Sequence, residues 1–467
     1  MDTKTEQNVK PESRDRGELL MEAARCGASY LREVSGRRVA PAPEAIGALK
    51  RLGGPLPEQP MPAGDVLALL DEFGSPATVA NAGGRYFGFV NGGAVPASLA
   101  ANVLAAAWDQ NAALRVMSPV GAVLEEVALG WVRQLLGLPE ETAGALVTGA
   151  TMANATCLVA ARHALLERKG WDVEARGLFG APEFRVVIGE EAHASLKKAI
   201  TFVGLGRERV HIVPADEQGR MRPADFPHLK EPALVCLQAG NVNTGAFDPA
   251  DELCRLAHES GSWVHVDGAF GLWAACAPAR RHLTVGFEEA DSWATDGHKW
   301  LNVPYDCGLA FVRDGGALRS ALSLEAAYLA ASSSREPMHW TPESSRRARG
   351  IEVWAAIKSL GACGLADLVE RTCRHAQRFA TALSAAGFEI LNQVVINQVM
   401  VSFGSDEATR AVIAAIQQDG TCWCGGTMWH GRAAMRISVS SWATTDADVE
   451  LSIAAMLRAA GDHVKQH

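Results

Sequence analysis

No apolar stretch in these 467 residues approaches the roughly 20 that a membrane-spanning helix needs. The longest candidate, from Ala100 to Trp108, is interrupted by Asn102 and reads as packed helix. The opening residues MDTKTEQNVKPESRDRG are polar and have no apolar signal core, so a cytoplasmic protein is expected. A basic block is also missing. With 44 Lys and Arg against 53 Asp and Glu, the formal net charge is −9, and neither nucleic acid nor a membrane is an expected partner. Metal-ligand spacing is absent too. Of ten scattered cysteines only Cys422 and Cys424 lie close together, and two sulfurs without neighbouring ligands make a poor zinc site. Free thiols and no metal are therefore expected. Internal repeats and low-complexity tracts are lacking beyond short Ala-rich runs.

What the chain has is apolar mass. Hydrophobic residues make up 48% and charged residues 21%, enough to bury a large core, and the length calls for two or more domains. Residues 1–78 read as a helical arm. A candidate helix from Glu18 to Val34 is followed by a Pro-rich stretch from Pro41 to Pro62, with too little apolar material to fold alone.

Residues 79–335 alternate helix patterns with short apolar runs, the pattern of a mostly parallel sheet covered by helices. Ala145 to Val147 precedes a long helix from Gly149 through His163, while Phe184 to Ile188, Ala233 to Leu237 and Trp263 to Val266 read as buried strands. Residues 336–467 read as a smaller α+β unit. Helices from Ser345 to Leu360 and from Leu365 to Ser384 are expected, then strands at Gln398 and Met435, and a last helix capped by Thr445 with Asp448.

Ligands in open α/β sheets sit beyond the carboxyl ends of the strands, and four features cluster at such positions. Lys299, in DSWATDGHKWLN, can form a Schiff base with an aldehyde cofactor, though taken alone it reads more readily as a surface lysine in a loop. Asp267 closes the apolar run WVHVD, where a carboxylate is costly without a partner such as a protonated pyridine nitrogen. A buried ion pair or a metal are the other readings of Asp267. The small Ala269 after it leaves room for a flat ring, and His193, at a strand-to-helix turn, can stack on the opposite face or simply bind water. Gly149, Ala150 and Thr151 open a helix whose free N–H groups suit a phosphate, a weak signal by itself.

Taken together, these residues resemble the group II pyridoxal phosphate decarboxylases, which include the aromatic amino acid and glutamate enzymes. The resemblance runs over roughly residues 80–455. It is carried by the turn at Gly149 with Asn154, by His193, HVDGAFG, ADSWATDGHKW, and SRRARGIEVW from Ser345. It implies fold type I of the PLP-dependent transferases: an α/β protein with a large, mostly parallel seven-stranded sheet and a small C-terminal α+β domain. It also implies pyridoxal 5'-phosphate as cofactor and a homodimer with active sites at the subunit interface. Lys299 would carry the cofactor as an aldimine, Asp267 would meet its ring nitrogen, and His193 would stack on the ring. Asn111 and Arg115, near Ser118 and Pro119, fall in the family's substrate-side segment.

Two departures stand out. A family Gly-Thr-Thr turn is here Gly240, Asn241 and Val242, so Asn241 or Asn243 is left to bond the cofactor. The family's loop tyrosine, which helps return a proton to the substrate carbon, corresponds to Pro337. Tyr328, His339, His298 and His193 are the remaining donor candidates, His339 being the better of the loop pair because imidazole titrates near neutrality.

The expected reaction is decarboxylation of an L-amino acid to its amine and carbon dioxide, through an external aldimine and a quinonoid. Oxidative deamination or transamination, and carbon–carbon cleavage by an aldehyde lyase, are the alternatives. Phe87, Phe89, Trp108 and Trp340 are candidates for an apolar pocket and favour an aromatic or other apolar substrate, although each is equally a core aromatic. Ala122 and Arg347 are further candidates beside the substrate, and Arg436 resembles a carboxylate-gripping arginine or serves its strand alone.

Overall fold

The structure, a computed structural model, describes residues 15–323 and 334–464, and Tyr328 lies outside them. Short apolar runs form β1 (Ala143–Val147), β2 (Val186–Gly189), β3 (Val210–Val213), β4 (Leu234–Gln238), β5 (Trp263–Asp267), β6 (Ser292–Asp296) and β7 (Gly308–Val312). Among the described residues these seven make one sheet in the order β1-β7-β6-β5-β4-β2-β3. Only β7 runs against its neighbours, so β1, β2, β4, β5 and β6 all end on one edge. Strands β4 to β7 are buried along their whole length, as a sheet covered on both faces requires.

Period-two alternation decides what each face carries. Val264 and Val266 enter one core layer, while Trp263 enters the other with Ala294 and the helix Ala150–Glu167. His265 and Asp267 share the Trp263 face, and the register sets His265 opposite Ser292. The helix Ala150–Glu167 therefore lies over the polar side chains of β5 and β6.

A second sheet, in the order β10-β11-β9-β8, is built from β8 (Glu389–Ile390), β9 (Gln398–Ser402), β10 (Gly425–Trp429) and β11 (Arg432–Ser438). Its core joins Val399, Val401, Met435 and Ile437 to Phe379 and Met456. The expectation captured β9 and β11 but not β8, which is two residues long, nor β10, which opens on two glycines and has no β-branched run.

The two expected helices from Ser345 and Leu365 are one kinked element, Gly350–Ala385, bent at Gly361, whose φ of 62° departs from the helix. It begins five residues later than expected because Arg346 and Arg347 are recruited elsewhere. Arg347 bridges to Asn111, and the Arg346 N–H donates to Asn111 Oδ1 at 3.2 Å. Ile357, before the bend, belongs to the core of the large sheet, whereas Phe379, after it, belongs to that of the small one.

The expected cap is present: the Asp448 N–H donates to Thr445 Oγ1 at 3.2 Å and opens the helix Asp446–Val464. In the arm, the helix Arg16–Glu33 buries none of its residues, while Arg38 donates to the Gln418 and Asp419 carbonyls at 2.6 and 3.1 Å.

Candidate active site

The turn after β6 holds Lys299. Its Nζ lies 3.0 Å from Asp296 Oδ2, and His298 Nε2 lies 3.6 Å from the same oxygen. His298 Nδ1 accepts the Cys307 N–H at 3.1 Å, which leaves the hydrogen on Nε2 facing Asp296. Burial holds the His298 pKa below the usual imidazole value, so the ring is neutral. Asp296 Oδ1 is buried without a partner.

The expected phosphate turn stands next to this group. No side chain caps the helix Ala150–Glu167 at Gly149, and a Cβ on Gly149 would lie 3.2 Å from His298 Cε1. Gly308 must be glycine for the same crowding, since its Cβ would come within 2.4 Å of the Gly149 Cα.

Asn302 ties the lysine turn to two remote segments. Its Oδ1 accepts the Gly93 N–H at 2.7 Å and the Trp442 N–H at 2.9 Å, and its Nδ2 donates to the Trp300 and Ser440 carbonyls at 2.9 and 3.0 Å. Gly92 approaches so closely that a Cβ there would lie 2.0 Å from the Lys299 carbonyl oxygen. The lysine backbone is clamped from both ends of the chain.

At the end of β5, Asp267 is buried and its Oδ2 has no hydrogen-bond partner. Burial pushes its carboxyl pKa up, against the opposing pull of His193, Lys299 and the Asn154 amide. His193 caps the helix Ala194–Phe202, its Nδ1 accepting the Ser195 N–H at 3.2 Å, and burial depresses its pKa most, while Asp267, Lys299, Arg436 and Asp296 all act on it. The structure thus unites Lys299, Asp267, His193, His298 and Asn154 in one electrostatic neighbourhood. Ala269 spans the ends of β5 and β6, its carbonyl accepting the Asp296 N–H at 2.9 Å.

The two asparagines differ. Asn241 Oδ1 accepts the N–H groups of Asn243 and Thr244 at 2.8 and 3.2 Å and its Nδ2 donates to Gln238, so its polar atoms serve its own turn. Asn243 Oδ1 instead accepts from Thr427 at 3.0 Å and from Arg436 Nη1 at 3.3 Å. Burial lowers the Arg436 pKa, and among the described residues no carboxylate pairs with it.

Several expected substrate residues are elsewhere. Phe87 is fully buried against Phe379 in the core of the small sheet, which corrects its assignment to a pocket. Trp340 lies under the Arg335 guanidinium at 4.1 Å and beside Gly315, past the Ala143–Val312 end of β1 and β7. That edge is opposite Lys299. His339 shares its short helix, Pro337–Trp340, with Nδ1 buried and unpartnered.

Asn111 organises backbone, accepting from Ala113 and Arg346, and Ala122 is buried beneath Ser118, which caps the helix Pro119–Leu135. Arg115 and Arg347 form ion pairs, with Glu126 and with Asp306 and Glu352 respectively. Phe89 remains exposed at 61% beside the Trp423 ring, and Trp108 at 46%.

Three features escaped the sequence reading. Tyr305, six positions past Lys299, stacks on His298 at 4.3 Å and donates its hydroxyl to Asn91 Oδ1 at 2.7 Å. Arg346 and Glu125 form a fully buried two-point pair at 2.5 and 2.7 Å, with Arg346 also donating to the Leu146 carbonyl. His265, inside β5, bonds Ser292 and Asn154, and burial pushes its pKa down to about 3.

The last shift has a pH signature. Unfolded, an imidazole binds a proton near about 6.5, whereas folded His265 resists until about 3. Between those values the unfolded chain holds more protons, so stability present above pH 6.5 is lost as pH falls toward 3. The loss from this group is up to about 1.4 kcal/mol per pH unit. His265→Gln is expected to shrink the difference in urea-unfolding free energy between pH 7 and pH 5 by about 2 kcal/mol.

Known proteins resemble this chain in sequence and in fold. Acidic amino acid decarboxylase GADL1 of Mus musculus is 30% identical over 301 residues, covering 62% of this chain and 54% of its own length. The chain therefore spans about half of that relative. Tryptophan decarboxylase 1 of Oryza sativa subsp. japonica is 27% identical over 398 residues, 76% of each chain. The crystal structure of Oryza sativa TDC with PLP and tryptamine shares the fold, with a TM-score of 0.89 at 23% identity over 98% of this chain and 99% of that one. The model of the pyridoxal-dependent decarboxylase conserved domain matches residues 81–404, and the chain belongs to that family.

Proposed function

We propose that this chain decarboxylates an L-amino acid at Lys299 with pyridoxal phosphate as cofactor. The observation that carries the reading is the juxtaposition, on one sheet edge, of a lysine amine, a buried carboxylate at the end of the neighbouring strand, and an uncapped helix start. The residues fit the cofactor. Asp267 Oδ2 is a buried oxygen without a partner, so this carboxylate suits a cationic ring nitrogen, and the N-terminus at Gly149 suits a phosphate.

When bound, pyridoxal phosphate supplies an aldehyde that condenses with amines and a protonated ring that accepts the electron pair left at the α-carbon. Lys299 holds the cofactor between turnovers, and Asp296 at 3.0 Å orients its amine. Asp267 keeps the ring nitrogen charged. Arg436, a cation with no carboxylate partner among the described residues, suits an acidic group of the substrate, and its bond to Asn243 aims it. Tyr305, half exposed, stacks on His298 beside Lys299, which supports an aromatic or otherwise apolar side chain.

A second copy of the chain is proposed to complete the site. The arm helix Arg16–Glu33 has no fully buried residue within one chain, and Trp108, Val103 and Leu104 are exposed along one helix. An oxidative outcome is the second reading, favoured by Pro337, which is buried and has no hydroxyl to return a proton.

Product analysis tests both. Cofactor-loaded protein is incubated with a panel of L-amino acids under nitrogen and under air, and carbon dioxide, amine, aldehyde and ammonia are followed. Equal carbon dioxide and amine in both atmospheres is the expected result. Aldehyde and ammonia formed only in air replace it with the oxidative reading, and no carbon dioxide from any substrate rejects both.

A further inference from the structure

Behind Asp267 runs a buried chain of hydrogen bonds. Trp263 Nε1 donates to Ser292 Oγ at 2.9 Å, Ser292 Oγ lies 2.9 Å from His265 Nδ1, and His265 Nε2 lies 2.9 Å from Asn154 Oδ1. All four side chains are buried. Their hydrogens have one consistent arrangement. An amide oxygen can only accept, so His265 Nε2 carries the imidazole hydrogen and donates to Asn154 Oδ1. Nδ1 of the neutral ring then accepts the serine hydrogen, while the Trp263 indole N–H occupies a lone pair of Ser292. With its oxygen turned toward His265, Asn154 directs Nδ2 the other way. That nitrogen and Asp267 Oδ2 are both buried and neither has a hydrogen-bond partner, while the amide lies near enough to draw the carboxyl pKa down against the burial that raises it.

We propose that Trp263, Ser292, His265 and Asn154 act as a positioning relay that holds Asp267 ionised and in one orientation, with its carboxylate directed at the ring nitrogen of pyridoxal phosphate. The inference rests on the cofactor reading above. Asn154 comes from the covering helix and the other members from β5 and β6, so the relay also fixes the helix that opens the phosphate turn. Every link is neutral, because burial keeps His265 unprotonated down to about 3, and no link competes with the ring for a proton. His265 does not touch the cofactor; it acts through Asn154.

The test uses the full chain loaded with pyridoxal phosphate labelled with 15N in the ring, without substrate. Its readouts are the ring-nitrogen resonance and the cofactor dissociation constant. His265→Leu is expected to move the resonance toward that of the unprotonated ring and to weaken cofactor binding by about tenfold or more, the scale seen when the support behind a ligating group is removed. His265→Gln, which restores an N–H donor near the position of Nε2, is expected to recover more than half of both changes. A folded His265→Leu protein with the unsubstituted resonance and dissociation constant overturns the relay. Should that variant fail to fold, Ser292→Ala removes only the remote hydroxyl and is expected to move both readouts the same way by less; no movement overturns the relay. Failure of the unsubstituted chain to take up the cofactor overturns the functional reading and the relay with it, whereas uptake with an unmoved His265→Leu resonance overturns the relay alone.

Discussion

Lys299→Ala is expected to lower turnover of every amino acid by more than about a thousandfold and to abolish the visible absorbance of the loaded protein. The amine is the proposed attachment point, and no other lysine replaces it at this turn. A second effect comes from its neighbour. Asp296 already has one buried oxygen without a partner, and removing Nζ at 3.0 Å leaves the other with only His298 at 3.6 Å. The cofactor-free variant is therefore expected to lose on the order of 1–3 kcal/mol in urea unfolding. Adding Asp296→Asn is expected to restore stability without restoring turnover. That separation distinguishes chemical loss from structural damage, and a Lys299→Ala protein that keeps its absorbance and activity would remove this lysine from the mechanism.

Arg346→Leu carries the largest expected effect on stability. Glu125 would be left as a buried charge with its two-point partner gone, and the Leu146 carbonyl would lose its donor. Breaking such a pair from one side costs about 3–5 kcal/mol. The double variant Arg346→Met with Glu125→Leu removes both charges and is expected to cost less than half as much, because the penalty lies in the stranded charge. Urea midpoints of the two single variants and the double measure this directly. Equal loss in all three would assign the effect to packing instead. Leu146 lies just before the turn at Gly149, so the single variant is also expected to bind cofactor more weakly.

The residues that were readable in the sequence share one property: each breaks an apolar run at a strand end. Asp267 closes WVHVD, His193 follows a strand, and Lys299 follows one, so the chemistry and the strand boundary mark each other. The parallel sheet was readable for the same reason. Phe87 and Trp340 carried no such mark. An aromatic side chain looks alike in a pocket and in a core, and only the fold sends Phe87 to the small sheet and Trp340 to the far edge. His265 was hidden because alternation permits any residue between Val264 and Val266. Its role depends on Asn154, 111 positions earlier in sequence. The helix expected from Ser345 begins at Gly350, because tertiary partners hold Arg346 and Arg347 outside it.

The knot at Asn302 gives this chain a timetable. Gly93 meets Asn302 across 209 positions and Trp442 meets it across 140, while the Trp442 indole reaches back 348 positions to the Ala94 carbonyl. At about 5–20 residues per second, a ribosome delivers the last of these partners tens of seconds after the first. During that interval the segment around Gly93 has left the exit tunnel with nothing to close upon, and the lysine turn, once made, waits without its clamp. Nascent chains that stop short of Trp442 are thus expected to remain cofactor-free, and loading to begin only once translation has passed that tryptophan.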